Sequence, residues 1–180
     1  MNTLGQNTEM VNKLVAKIKK GMPELSDELD QVYRMLECVV NYYKYDELTG
    51  LMMRKDFERA LMTIEQTGEP YTLVIADVNG LKQANNDSYE KGDKLLIDAV
   101  TILNKYAIDG KLWRYGGDEF CMLFEGDKHI TLEAEECQTL TLGYSHSKHH
   151  SNDNEVFLWA NKMLIHRKAL FYINQDRRNL

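Results

Sequence analysis

A chain of 180 residues, 43% hydrophobic and 28% charged, has room for one domain with a packed core plus an appendage. Its formal charge of −6 argues against a dedicated DNA-binding surface, which would need basic patches to displace counterions, but leaves room for a site that takes one nucleotide. No apolar run of about 18 residues occurs, so no membrane span is expected.

The opening segment lacks the apolar centre of a secretory signal. Cys38, Cys121 and Cys137 are odd in number and have no metal-ligand spacing, so reduced thiols in a cytoplasmic protein are expected. Residues 8–20 and 25–45 read as helices. Gly21-Met22-Pro23 breaks them, and Glu24, Asp27 and Glu28 favour a new helix start. In the second helix Leu25, Leu29, Val32, Leu36, Val39 and Tyr43 alternate at spacings of four and three, an a/d seam. Two readings stay open: a helix packed on its own domain or in a hairpin with residues 11–18, and a parallel dimerisation stalk. The division expected is a helical region over 1–45 and a compact domain over 46–180.

From Tyr45 onward strand and helix patterns alternate. YTLVIADV (71–78) is an apolar run rich in β-branched residues, suited to a strand buried on both faces. GDKLLIDAVTILNKYA (92–107) places Leu95, Ala99, Ile102 and Tyr106 on one helical face. KLWRY and DEFCMLF flank Gly116-Gly117, a two-residue hairpin signal in which both glycines are free to take positive φ. QTLTLGYS (138–145) reads as a further strand and NEVFLWANKMLIHRKALFYI (154–173) as a long closing helix. The class expected is α/β (α+β), helices against a mixed sheet.

Asp77 ends the apolar strand, while Asp118 and Glu119 follow the glycine pair. If the hairpin pairs beside that strand, these acids converge at one end of the sheet. Clustered carboxylates in a partly dry site are costly unless cations neutralise them. Oxygen ligands without His or Cys favour Mg²⁺ or Mn²⁺, and two such ions can activate a hydroxyl for in-line displacement at phosphorus. The bland reading is a solvated hairpin tip beside an unrelated helix cap.

Three motifs read together go further. DELTGLMMRKDF (46–57), DVNGLKQANN…KGDKLL (77–96) and RYGGDEF (114–120) stand in an order and spacing that resemble the GGDEF family, the diguanylate cyclase domain. The resemblance runs from residue 46 to about residue 170 and implies a palm-like fold shared with nucleotidyl cyclases. It also implies a nucleotidyltransferase that condenses two GTP into cyclic di-GMP and two pyrophosphates, with two Mg²⁺ (or Mn²⁺) per site. Asp77 through its carboxylate and Val78 through its carbonyl would hold metal. Asp118 would be the second acidic ligand and a candidate base for the 3′-hydroxyl, with Glu119 supporting the metal site. Gly116 and Gly117 would let the nucleotide approach the backbone. Lys82, Lys168 and Arg114 would meet the triphosphate.

Guanine offers N1–H and N2–H₂ donors and an O6 acceptor, which an amide and a carboxylate match. The resemblance assigns these to Asn85 and Asp93. Counting from Lys82 selects Asn85, and counting from the Asn-Asp pair selects Asn86. Asp93 also follows Gly92 as a helix cap would. The chain departs from the family pattern in places. NNDSYEKGD (85–93) lacks the Gly-His pair and is one residue short. TLEAEEC (131–137) supplies only a turn or two where the family fits a full helix, so a thin cover is expected. Tyr172 stands where an arginine is usual, with Arg177 or Arg178 as substitutes only if the chain folds back. Ala107 and Asp109 replace the paired arginine and aspartate of the family's product-inhibition site, so no feedback inhibition is expected there.

HSKHHSND (146–153), with His146, His149, His150 and Asp153, is either a transition-metal site or a polar loop. One GTP per protomer requires two facing sites, hence a homodimer, which the heptad seam would serve. With few residues ahead of the domain, control through oligomerisation or another protein is expected. The alternatives are a non-catalytic nucleotide-binding or interaction module, and a synthase of another cyclic nucleotide.

Overall fold

The structure is a computed structural model that describes residues 3–22, 26–150 and 152–178. The chain divides into two compact units, Met1–Tyr43 and Lys44–Leu180. The first is a pair of helices, α1 (Thr3–Gly21) and α2 (Ser26–Lys44, which ends at the boundary). Lys19 pairs with Asp30, and the Tyr33 hydroxyl donates to Asn12 Oδ1 at 2.9 Å, so the two helices form a hairpin. Asp27 and Glu28 sit in the first turn of α2, where they complement the helix dipole. Pro23, Glu24 and Leu25 lie outside the described residues, as does the side chain of Tyr43. Of the remaining seam positions Leu29 is half-buried, while Val32, Leu36 and Val39 are each more than half exposed.

The second unit contains β1 (Met52–Met53), α3 (Arg54–Thr67), β2 (Tyr71–Val78), α4 (Leu81–Asp87), α5 (Tyr89–Tyr106), β3 (Gly110–Arg114), β4 (Glu119–Glu125), α6 (Glu136–Thr139), β5 (Leu140–His146) and α7 (Asp153–Arg178). The five strands form one sheet in the order β1-β3-β4-β2-β5. β1 runs parallel to β3, and the other pairings are antiparallel. It is the mixed α/β fold that the alternating pattern predicts.

Every residue of β2 is buried, because the strand is covered on both faces. On one face Val74, Ala76 and Val78 meet Leu96, Ala99 and Leu103 of α5. On the other, Leu73 and Ile75 share a core with Phe57 of α3 and Val156, Ala160 and Leu164 of α7. The period of two along a strand accounts for this division. The buried stripe of α5 is Leu96, Ala99 and Leu103; of the expected stripe, Leu95, Ile102 and Tyr106 flank it.

α7 lies unusually close to β5. A Cβ on Gly143 would stand 2.1 Å from the Ala160 carbonyl oxygen and 2.5 Å from the Leu164 nitrogen, so only glycine lets the helix backbone seat there. The segment between β4 and β5 carries a single turn, α6, where the sequence predicts a thin cover. Its anchor is Glu136, which is 7% exposed. Its carboxylate accepts from Lys105 Nζ at 2.9 Å, from the Glu133 N–H at 3.1 Å and from the Tyr106 hydroxyl. The Tyr106 hydrogen bond, with help from Lys105, holds the Glu136 carboxyl below its usual range despite burial. Burial and that same carboxylate push the Tyr106 phenol up to about 12.

Candidate active site

The acids meet because of strand register. Asp77 stands opposite Glu119 in the β2–β4 pairing, and the Val78 N–H donates to the Asp118 carbonyl at 3.0 Å. Residues 77, 118 and 119 therefore gather at one end of the sheet. Burial raises the pKa of Asp77; the Lys168 ammonium offsets part of this, and the charge of Asp118 adds to it. Glu119 is raised by burial first, then by Asp118 and Asp77. Both shifts have the same meaning: ionised carboxylates are costly here and call for positive charge.

Some of that charge comes from α7, where Lys168 Nζ donates to Asp77 Oδ1 across 91 residues of sequence. The lysine expected at the triphosphate is thus seated on the aspartate expected to bind metal. Among the described residues no three His, Cys, Asp or Glu side chains form a complete metal cage. The donors that are present are all oxygen: Asp77, Asp118, Glu119 and the Val78 carbonyl. Such a set fits a hard dication that takes one or two carboxylates from the protein and the rest from phosphate oxygens and water.

The signature loop differs from the two-residue hairpin expected. β3 ends at Arg114 and β4 begins at Glu119, which leaves four residues between them. The N–H groups of Tyr115 and Gly116 both donate to the Glu119 carbonyl, at 2.7 and 3.0 Å. Positive φ occurs at Gly50, Gly68, Gly80 and Gly126, and at neither Gly116 nor Gly117. A Cβ on Gly116 would lie 2.8 Å from Glu119 Oε2, so a side chain there would displace the Glu119 carboxylate.

Arg114, expected at the triphosphate, is engaged within the protein. One guanidinium nitrogen donates to Asp46 Oδ1 at 2.7 Å and the other to the Gly117 carbonyl at 2.6 Å. It ties the signature loop to the turn that opens the domain. Asp46 organises that turn, accepting from the Thr49 N–H at 2.8 Å and from the Thr49 hydroxyl at 2.5 Å. Burial opposes the charge on Asp46, but the hydrogen bonds from Thr49 and Arg114 hold its carboxyl below the usual range.

The base-recognition candidates lie on two successive helices, Asn85 in α4 and Asp93 in α5. Gly80, at φ 75°, takes the chain off β2 into α4, whose first turn carries the exposed Lys82. Asn85 packs across Gly92, its Oδ1 only 1.8 Å from where a Cβ on Gly92 would be. Asn85 thereby sits beside the position that precedes Asp93. Asp93 is not a helix cap: α5 starts at Tyr89, and the Ser88 side chain accepts from the Lys91 N–H. Asp93 is exposed one turn inside the helix.

Asp109 pairs with Lys128 at 2.8 Å, and Ala107 caps α5. The side chains of Arg177 and Arg178 lie outside the described residues. Three residues at the site carry no sequence expectation. Arg54 stands 4.7 Å from the Tyr115 ring, and its charge lowers the Glu119 pKa. Asp46 holds Arg114. Buried Asn79 donates to the Cys137 carbonyl at 3.2 Å and accepts from the Thr141 hydroxyl at 2.9 Å, fixing the end of β2 to the α6–β5 segment. Asn79 follows Asp77 and Val78 in the second motif, and that adjacency is the signal that marks it.

Among solved structures, the chain resembles the coiled coil and GGDEF domain of DgcB from Caulobacter crescentus in complex with c-di-GMP. The identity is 20%, coverage is 84% of this chain and 94% of that one, and the TM-score is 0.68. It also resembles the diguanylate cyclase SiaD of Pseudomonas aeruginosa in complex with its activator SiaC. Here the identity is 19%, coverage is 93% and 75%, and the TM-score is 0.60. At these identities the likeness is one of fold. A protein of Staphylococcus epidermidis, named only as an uncharacterised membrane protein, is 30% identical over 151 residues, 78% of this chain. A like-named protein of Staphylococcus aureus is 30% identical over 131 residues, 66% of this chain. The chain spans 41% and 36% of the length of these two relatives. No helix among the described residues is long and apolar enough to cross a membrane. Residues 43–161 match the family described as "Diguanylate cyclase, GGDEF domain", and with the three motifs standing on this fold, the chain belongs to the GGDEF family.

Proposed function

We propose that the domain is a diguanylate cyclase, condensing two GTP into cyclic di-GMP with release of two pyrophosphates. The observation that carries this reading is the pairing of Asp77 with Glu119, which sets three carboxylates around the end of β2 beside the Lys168 ammonium. Bound there, Mg²⁺ or Mn²⁺ would supply Lewis-acid stabilisation of the reacting phosphate. Asp77, Asp118, Glu119 and the Val78 carbonyl hold the ions in this reading. Asp118 accepts the proton of the attacking 3′-hydroxyl. Lys82, with Lys168 released from Asp77, offsets charge on the triphosphate. Asn85 and Asp93 read the guanine edge, and Arg114 acts as a positioning residue that holds the signature loop.

Synthesis needs two protomers, and the exposed stripe of Val32, Leu36 and Val39 on α2 supports joining them through the N-terminal helices. In this reading the domain works on the cytoplasmic side, where GTP is supplied. Ala107 and Asp109 do not reproduce a product-inhibition motif in this reading, and control through assembly or a partner protein is the form proposed. A non-catalytic nucleotide-binding module is the second reading, favoured by the reduction of the cover beside the site to the single turn of α6.

The test is to incubate the protein with Mg²⁺ and each labelled nucleoside triphosphate and to resolve the products by mass. A cyclic guanine dinucleotide is expected. Tight nucleotide binding without turnover would favour the second reading, and an adenine-containing product would reassign the base contacts. Asp93→Ala is expected to raise KM for GTP or relax base choice; unchanged discrimination would remove Asp93 from the guanine contact.

A further inference from the structure

The chain has five histidines, and all of them line one cavity of about 600 Å³ at the other end of the sheet. His129 comes from the β4–β5 segment, His146 from β5, His149 and His150 from the short turn after it, and His166 from α7, which also contributes Lys162. In the strand register His146 stands opposite Thr72. Thr72 and Asp77 are five steps apart along β2, about 17 Å of strand. The volume lies within the range of small-ligand pockets, roughly 300–1,000 Å³.

The chemistry of the lining is one-sided. Its ionisable groups include five imidazoles and the Lys162 ammonium, which lies 4.7 Å over the Trp159 ring, and no carboxylate is among the described lining residues. Tyr144, Ser145, Trp159 and Met163 complete the wall, with Tyr144 and Ser145 hydrogen-bonded to His129 Nδ1 and His150 Nε2. The nearby acids are engaged from outside it. Asp127 sits 2.7 Å from His146 Nδ1 and also pairs with Lys148, while Glu155 stands 3.9 Å from His150 Nδ1. Arg167, on α7, adds a further positive charge over the Tyr144 ring, 5.3 Å from its centroid.

The tautomer of His146 follows from its neighbours. The Thr72 hydroxyl gives its only hydrogen to the Gly126 carbonyl at 2.8 Å, so Nδ1 of His146 is the donor toward Thr72 and Asp127. Nε2 is then the nitrogen that takes up a proton. Burial, and after it the repulsion of His149, His129 and His150, lowers the His146 pKa. A bound negative charge would relieve that repulsion. A metal ion does not explain the cluster, because among the described residues no three ligating side chains converge, and the Asp153 side chain lies outside them.

We propose that this histidine-lined cavity binds a small phosphorylated anion carrying two or more negative charges, and holds it more tightly when the imidazoles are protonated. The proposal is independent of the cyclase reading, since no residue of the acidic site takes part.

Histidine ring NMR tests it on the full chain, because every histidine lies at this cavity and none at the acids. Inorganic pyrophosphate, added with a chelator to suppress metal-dependent binding, is expected to shift the ring resonances and raise the titration midpoints. Affinity should increase about tenfold between roughly pH 7.5 and roughly pH 6, the interval in which imidazole gains charge. His149 and Lys162 are exposed, so the double variant His149→Asn, Lys162→Gln should fold normally and keep basal turnover. It should bind pyrophosphate about fivefold more weakly or worse, with Lys162→Arg retaining the affinity. Ring resonances that ignore pyrophosphate up to about 10 mM, well above the concentration at which a multiply contacted anion site should fill, would overturn the proposal. So would equal binding by the double variant, or a response to Zn²⁺ with none to pyrophosphate.

Discussion

The two ends of β2 are built alike but gather opposite kinds of ionisable group, carboxylic acids at one and imidazoles at the other. At Asp77 the strand runs into carboxylates, whose burial and mutual repulsion raise their pKa values. At Thr72 it runs into imidazoles, whose burial and mutual repulsion lower the pKa of His146. In both places a rigid, fully covered strand holds like charges closer than water would leave them. The difference teaches that a sheet end is defined chemically by the ionisable groups it gathers: in the readings proposed above, one end would take cations carried in with phosphates and the other the phosphates themselves.

The largest way to break the comparison is at the acidic end. Asp118→Ala is expected to lower cyclic dinucleotide formation by about a thousandfold or more. Circular dichroism and the thermal midpoint should stay near those of the parent, because Asp118 contributes its backbone carbonyl, not its side chain, to the bond with Val78. Turnover at the parent rate would remove the carboxylate from the reaction. Gly143→Ala attacks both ends at once, since Lys168 and Lys162 ride on the same helix. Its methyl meets backbone atoms of α7 that cannot rotate away, and a loss of about 3 kcal/mol is expected in denaturant titration.

Smaller effects sharpen the picture. Arg114→Lys keeps the charge but loses the fork that reaches Asp46 and Gly117 together. Turnover should fall about tenfold with KM nearly unchanged, the signature of a loop held in the wrong place. Glu136→Gln gives the smallest effect, a drop of a few degrees in the thermal midpoint near neutral pH. The sign follows from a folded pKa below the unfolded one. The carboxylate's contribution is complete above the ordinary carboxylate range and disappears as pH falls through the lowered folded value. The gap between variant and parent should therefore close in acid.

Much of the fold was legible because burial writes periodicity into sequence. The β-branched run of 71–78 announced a strand covered on both faces, and the placement of Asp77, Asp118 and Glu119 around a glycine pair announced a shared end. What stayed hidden were partners. Nothing local tells that Arg114 reaches back 68 residues to Asp46, or that Lys168 rests on Asp77 rather than facing solvent. The start of α5 was missed because its cap is a serine four residues before the glycine that looked like the break. Gly116 was legible as a glycine, but not its nearness to the Glu119 carboxylate, which exists only once β4 is paired. The five histidines are scattered over 38 positions, from His129 to His166, and only the packing of α7 across β5 collects them.

The seven consecutive β2–β4 pairs that end at Asp77 and Glu119 carry a consequence for how errors are screened. Slipping that ladder by a single position would turn Leu73 and Ile75 toward the wrong layer and part the two acids in the same movement. A misaligned molecule is therefore also a poorly folded one, open to proteolysis before it can act. Chemical competence is inspected by the same forces that decide whether the polypeptide survives.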